Sequence, residues 1–506
     1  MQQVNQVSTS PTLDALFQRI LARKPDGVAL IDPINKPRIT GQQPQTLTYA
    51  EADRIISALA GHFIDAGLPA HSVIGVQLPN TVEFMLTVLA AHRAGLVVAV
   101  FPLLWRQAEL VAALNRTSAR AIVTTTKVDG VIHADLAMNA AAEAFSIRHV
   151  CGFGTDLPEG MFSLDQSIAR PPDSSRTVVQ DGRKAAIITF DVTADGFRAV
   201  PRTHLSLIAG GLAISLESDV PQGSNLMSAF VPSSFAGLAS SVVMWLLSGG
   251  SLALHHPFDP DVLEQQLTAL GSDTLIAPAQ LALKLDECKL PARLPNLRHV
   301  IGMWRAPEQV SSSPVWTTQQ VEMTDVYLFG EAGLFGVRRQ SPDGSPGLVR
   351  PGKHGAPHNT PGSSIAGEVL ITPKGTLGLR GPMVVVPAYA PPPPPPSDSL
   401  VAAPPRDFVD TEYAVRHDRA HDTISITAPP AGVMGVGGYR FLAQDLHEWS
   451  RRLGQGALLT ALPDRLSGHR LAGRALDNAR AREALAELGL NPLMVEAFRD
   501  RATPAS

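Results

Sequence analysis

A chain of 506 residues with 44% hydrophobic and 17% charged content is too long for one ordinary domain and apolar enough to bury more than one core. Its formal net charge of −4 excludes a general attraction to nucleic acid or anionic membrane, and its basic clusters, Arg338-Arg339 and Arg451-Arg452, are short. Two cysteines, Cys151 and Cys288, allow one disulfide and give neither a secreted framework nor a metal-binding spacing.

Residues 1–11 are polar and carry no apolar signal core. The apolar runs 97–104 and 241–254 are too short or too interrupted by glycine to span a bilayer. The expectation is a cytoplasmic protein, without a membrane span or nucleic-acid partner, that handles small molecules or other proteins. Thr48-Tyr49-Ala50-Glu51 reads as a helix start, with Thr48 as cap and Glu51 completing a capping box. Ile55, Ile56, Leu59, Ala60 and Phe63 follow at helical spacing, and Gly67 suits the end. Strands are predicted over 73–78, 96–100 and 121–123, and helices over 81–93 and 109–115. Strands alternating with helices imply a parallel sheet covered on both faces.

A second α/β stretch is predicted from Lys184 to about Gly336, with strands over 185–190, 228–231, 251–254, 274–276, 299–302 and 325–328. The Gly- and Pro-rich section 344–387, with a strand over 367–371, suggests a small β subdomain. Six prolines at 391–396 make a stiff extended insertion or linker, with a ligand for a proline-binding module as the alternative. After Tyr439 the chain reads as mostly helical, ending in helices over 478–488 and 492–501.

Blocks along the chain then fall into a familiar order. They begin with Thr48-Tyr49-Ala50-Glu51, Asn80-Thr81-Val82-Glu83-Phe84 and Gly95-Leu96 leading to Pro102. Gly249-Gly250-Ser251, Phe258-Asp259-Pro260, Ala277-Pro278 and the turn from Gly302 to Pro307 come next. Gly367-Glu368, Gly381-Pro382-Met383-Val384 and Gly437-Gly438-Tyr439-Arg440 close the series. Over roughly residues 10 to 450 this order resembles the adenylate-forming superfamily of acyl- and aryl-CoA synthetases, luciferases and peptide-synthetase adenylation domains. The resemblance implies an α/β fold with a large N-terminal domain over 1–436. That domain would hold two α/β subdomains with mostly parallel sheets (about 10–180 and 181–340) and a β subdomain (341–425). A reduced C-terminal lid over 437–506 would follow.

Several positions depart from the family's pattern. Its phosphate loop, T-S-G-T-T-G-x-P-K-G-V followed by His, is matched by residues 190–200 and His204. That segment brings Asp191 and Asp195 to a triphosphate site, keeps one glycine, Gly196, and has Arg198 in place of Lys. Like charges about 4 Å apart repel by about 1 to 4 kcal/mol at such a site. A rewired loop still holding nucleotide through Thr193 and Arg198 is the other reading. Tyr413 stands where the family has the ribose Asp, with Asp410 or Glu412 able to substitute only by a register shift, and residues 429–432 lack the hinge Arg and Asp. His469 stands where the lid Lys would balance charge during adenylation, and neutral imidazole is a poor substitute for a permanent cation.

What remains is read in the same frame. Tyr327-Leu328-Phe329-Gly330-Glu331 keeps the aromatic residue and the acid of the family's AMP-contacting block, so Tyr327 and Gly330 join the nucleotide side and Glu331 is the candidate Mg²⁺ ligand. Glu331 as a simple turn-satisfying residue is an equal alternative. Gly437, Gly438, Tyr439 and Arg440 match the loop that lines the pantetheine tunnel, or serve as an ordinary lid turn. Ser234, Phe235, Met303, Trp304 and Phe329 are the implied acyl pocket. Arg198, His204, Glu331 and His469 are the catalytic candidates. The implied activity is that of an acyl-CoA synthetase acting on a carboxylic acid or its acyl thioester, with CoA, phosphopantetheine or an acyl carrier protein on the thiol side. The altered positions argue against ATP and Mg²⁺. They leave two alternatives, ATP-independent transfer or hydrolysis of a preformed thioester, and a non-catalytic acyl- or partner-binding protein.

Overall fold

The structure, a computed structural model, describes residues 10–170, 178, 180–354, 367–384 and 407–499. Two large sheets dominate. The first has seven strands, in the order Gly196–Thr203, Ala185–Thr193, Val97–Val100, Val73–Val76, Ala121–Thr125, His149–Phe153 and Phe162–Ser163. All neighbours are parallel except the first pair. The second has eight strands, with a parallel centre from Glu322–Leu328 to Val28–Ile31 and antiparallel edges at Leu334–Arg338 and Thr46–Thr48. A third, antiparallel sheet of five strands runs from Gly352–His354 to Thr423–Ala428.

The helix Val82–Arg93 is buried on every face, so its polar residues all need internal partners. Glu83 receives an ion pair from the fully buried Lys36, whose Nζ also lies 2.6 Å from Asp32. Asp32 in turn accepts the backbone N–H groups of Val82 and Gln45 at 2.9 and 3.0 Å. Arg93 pairs with Asp14 and Asp53. Asn80, just before the helix, donates to the carbonyls of Ser228 (3.0 Å) and His255 (3.3 Å), tying the first sheet's layer to the second. The block Asn80 to Phe84 is thus a structural rivet. The predicted capping box is present, with Glu51 N–H donating to Thr48 Oγ1 and Thr48 N–H donating to Glu51.

Four expectations need correction. The strand predicted over 185–190 runs on to Thr193 and pairs with Gly196–Thr203 down to Thr193↔Gly196, so a two-residue connection replaces a loop. The strand predicted over 228–231 is Asn225–Ser228, because the chain leaves the sheet ahead of Pro232. The segment after Tyr439 is not mostly helical: Tyr439–Leu442, Leu458–Asp464 and Gly468–Arg474 are strands. The last two form a hairpin whose turn is closed by Asp464 accepting from the N–H groups of Leu466 and Ser467. The helix predicted over 492–501 ends at Glu496. The proline run lies outside the described residues. Cys151 and Cys288 are both free thiols, the first buried and the second exposed. No helix among the described residues is long and apolar enough to cross a membrane.

The C-terminal elements share a small core of Leu446, Leu459, Leu471, Leu485 and Phe498. The hairpin Val433–Val436/Tyr439–Leu442 leads into them, and its turn points back at the two large sheets.

Candidate functional site

That turn supplies the centre of the site. Arg440 Nη1 reaches Asp191, on the strand Ala185–Thr193, at 3.2 Å, and Arg440 Nη2 donates to the Tyr413 hydroxyl at 3.0 Å. Burial works against the Arg440 cation, but Asp191, Tyr413 and Glu331 together outweigh it and keep the guanidinium charged. Asp191 Oδ2 also accepts the Glu331 backbone N–H at 2.8 Å. Gly330 occupies the left-handed region (φ +56°), and a Cβ there would overlap both Arg440 Nη1 and Asp191 Oδ2. Three of the positions that depart from the resembled pattern, Asp191, Gly330 and Tyr413, therefore meet around Arg440.

The pair Asp191–Arg440, with Glu331, forms a partition between two cavities. On one side lies a pocket of about 110 Å³ lined by Thr193, Asp195, Arg198, Phe329, Asp410 and Glu412. On the other lies a cavity of about 410 Å³ whose wall includes Trp105, Phe190, Phe197, Phe230, Tyr439 and Trp449. Phe190 and Phe197 stack at 5.4 Å across the two-residue hairpin, and Trp105 meets them edge-on or tilted at 5.2 and 5.7 Å. Glu109 belongs to the same wall, where burial pushes its carboxyl up to about 7.

Arg305 closes the larger cavity beside the turn. Its guanidinium lies over the Phe230 ring at 4.2 Å, and Nη1 donates to the Gly437 carbonyl at 2.8 Å. Gly438 (φ +101°) makes this approach possible, since a Cβ there would sit 2.5 Å from Arg305 Cζ. Burial pushes the guanidinium down to about 10. Among the described residues Arg305 has no carboxylate within ion-pair distance.

The remaining predicted residues are dispersed. Of the implied acyl pocket, Ser234 lines the larger cavity and caps the helix Phe235–Leu238 by accepting from Gly237 N–H at 3.1 Å. Phe235, Met303 and Trp304 are core instead. Phe235 lies under the Arg202 guanidinium at 3.5 Å, and Trp304 Nε1 donates to Asp325 at 2.7 Å. Their strand or helix is buried on both faces, so burial there does not mark a ligand wall. Phe329 sits on the smaller pocket, edge-on to Tyr413 at 5.2 Å. Tyr327 stacks on Phe335 at 4.8 Å inside the second core. Thr193 and Gly196 form the end of the tight hairpin, and Arg198 lines the smaller pocket without an ion pair among the described residues.

Glu331 is committed within the protein. Its side chain accepts the Phe235 N–H at 3.0 Å, its carbonyl accepts from Arg202, and burial raises its carboxyl. With the guanidinium groups of Arg202 and Arg440 beside it, this is a poor setting for a divalent cation. No cluster of three or more His, Cys, Asp or Glu fit to hold a metal is found among the described residues. His469 belongs to the lid hairpin, its Nδ1 3.2 Å from the Gly435 carbonyl.

His204 is not in either cavity. It accepts the Leu13 N–H on Nδ1 (3.3 Å), donates from Nε2 to Gln180 (3.1 Å) and packs edge-on against His92 at 4.6 Å. Burial holds His204 down at about 2 and His92 at about 4. Both are neutral when folded and take a proton on unfolding below the ordinary value near 6.5, so the stability they support is present above that value and is lost as pH falls. We expect His92→Gln to remove about one proton from the uptake on unfolding between pH 6 and 4; urea titrations of both proteins across that range measure it.

Sequence reasoning missed Trp105, Phe190, Phe197, Phe230, Arg305 and Trp449. One signal was available: Arg305 directly follows the apolar strand run that ends at Trp304, an odd place for a cation unless it faces a cavity.

Comparison with known proteins agrees with this architecture. The family model described as AMP-binding enzyme matches residues 17–360. The medium-chain fatty-acid–CoA ligase of Escherichia coli (strain K12) is 26% identical over 306 residues, 58% of this chain and 51% of that protein. The salicyl-AMP ligase / salicyl-S-ArCP synthetase of Mycobacterium tuberculosis is 27% identical over 194 residues, 38% of this chain and 33% of that protein. The chain thus spans about half of the length of the first of these curated relatives and a third of the second. Among solved structures, o-succinylbenzoate CoA synthetase (MenE) from Bacillus subtilis superposes with a TM-score of 0.70 at 12% identity, covering 96% of this chain and 94% of that one. NpsA-ThdA, an artificially fused adenylation–PCP di-domain from Klebsiella oxytoca, gives 0.68 at 16%, covering 96% and 93%. Fold, order of blocks and family model agree: the chain belongs to the AMP-binding enzyme family of adenylate-forming ligases.

Proposed function

We propose that this protein acts on an acyl group carried as a thioester of CoA or of a carrier-protein phosphopantetheine, and that it does so without adenylation by ATP. The observation that carries this reading is the partition made by Asp191 and Arg440. It leaves about 110 Å³ on the nucleotide side, below the roughly 300 Å³ at which small-molecule sites begin. That pocket is lined by Asp191, Asp195, Asp410 and Glu412 against Arg198 and Arg440, an unfavourable setting for a triphosphate. The backbone groups that a glycine-rich loop would offer to phosphate are engaged instead in the strand ladder Ala185–Thr193/Gly196–Thr203.

The thiol side is better provided. Tyr439 stands in the wall of the larger cavity with Trp105, Phe190 and Phe197, and that cavity has the volume of a small-molecule site. Relatives named as a CoA ligase and as a carrier-protein synthetase support a thiol partner of either kind. Neither His204 nor His469 lines the cavity, which favours acyl binding without turnover as the second reading. Calorimetry with ATP–Mg²⁺, pyrophosphate exchange, and turnover of a short acyl-CoA form the test. No heat, no exchange and measurable thioester turnover are expected. Exchange of pyrophosphate overturns the proposal, and absence of turnover with retained acyl-thioester binding supports the non-catalytic reading.

A further inference from the structure

The larger cavity holds a charge that the thiol chemistry does not use. Some buried or half-buried arginines elsewhere in this chain are matched by carboxylates, Arg93 by Asp14 and Asp53, Arg339 by Asp325 and Arg440 by Asp191, whereas the fully buried Arg202 lies over the Phe235 ring and donates to the backbone carbonyls of Met383 and Glu331. Arg305 has a ring beneath it and one carbonyl acceptor for its five N–H donors. A guanidinium left in this state inside an aromatic cavity is a recognition element, because an incoming anion restores the pairing that burial otherwise denies it.

We propose that Arg305 is a specificity-determining residue that selects acyl groups bearing a second, non-reacting carboxylate. The geometry fits a ligand with two polar ends. Gly438 lies against Arg305, and Arg440 lies against Gly330 and Asp191. Both Arg305 and Arg440 line the larger cavity. Between them the wall is rings, suited to the apolar body of such a molecule. A carboxylate is favoured over a phosphate ester because Glu109, Asp445, Asp191 and Glu331 share the same wall, and repulsion grows with ligand charge. This assignment rests on reading the cavity as the acyl site, and direct binding tests it without any turnover.

The probes are terephthalate (two carboxylates), benzoate (one), the terephthalate monoamide and inorganic phosphate. Each is titrated by calorimetry and by Trp fluorescence, which reports on Trp105 and Trp449. Wild type is expected to bind terephthalate at least about tenfold more tightly than benzoate or the monoamide. Arg305→Met should reduce that ratio to near one, and Arg305→Lys should keep part of it. Lysine also provides the folded control if methionine loosens the turn at Gly437. Equal affinities in wild type, a ratio unchanged in Arg305→Met, or displacement by phosphate at comparable concentration each overturn the assignment. A failed thioester assay with an intact diacid ratio refutes the thioester reading and leaves the role of Arg305 standing.

Discussion

Replacing Lys36 with methionine is expected to destabilise the protein by about 3–5 kcal/mol, the usual effect of removing one partner from a buried ionic group. Lys36 is fully buried and serves both Asp32 and Glu83. Burial opposes its charge, but Glu83 and Asp32 together outweigh that and hold it charged. Asp32 already feels the strain of the site, since burial and then Glu83 push it up to about 6. Without the cation two carboxylates face each other in the core, and one must take a proton at neutral pH. The loss in Lys36→Met should therefore shrink as the pH is lowered toward 5, and restoring neutrality with Lys36→Met/Glu83→Gln should recover part of it. Urea unfolding at pH 7.5 and pH 5.5 measures both effects. A loss under 1 kcal/mol at pH 7.5 would falsify the account.

The second large effect is expected at Asp191. Asp191→Ala removes the paired carboxylate from the buried Arg440 guanidinium and leaves its hydrogen bond to the Tyr413 hydroxyl, again at a cost of about 3–5 kcal/mol. Here the consequence is local. The hairpin Val433–Val436/Tyr439–Leu442 is held to the sheets through Arg440, through Tyr439 in the aromatic wall and through the Gly437 carbonyl on Arg305. Releasing the first contact should expose the turn to proteolysis well before the protein unfolds globally. Arg440→Met removes the cation as well, so the double variant should be less impaired than the two single losses added together. Limited proteolysis mapped to residues 436–441, with a double-mutant cycle from urea melts, reads this out. Strict additivity would mean that the 3.2 Å pair contributes nothing.

Much of the fold was legible because local and global signals agreed. Thr48 and Glu51 announced a helix and form its capping box, and the parallel strands Ser251–Leu254 and Val97–Val100 read as apolar runs between helices. The C-terminal segment was misread because Leu458 to Asp464 and Gly468 to Arg474 are rich in Leu, Ala and Arg, good helix formers that pair as a hairpin only in tertiary context. The hairpin at Thr193–Gly196 was missed because a resemblance to a loop masked residues that alternate well as a strand.

At the site, the altered positions were visible one by one, but not that they touch. Asp191 and Arg440 are 249 residues apart, and no periodicity links them. The acyl wall failed for a different reason: residues in strands buried on both faces, such as Met303 and Trp304, look the same whether they face a cavity or a core.

Gly330 carries a consequence for how this sequence can change. A threonine at 330 collides with Arg440 and Asp191 while both are present. A smaller residue at 191 strands Arg440, and loss of Arg440 strands Asp191 inside a pocket already rich in acids. Each of these single changes is unfavourable while the other two residues stay as they are. The three positions are thus coupled, so that the effect of a substitution at one depends on the residues at the other two.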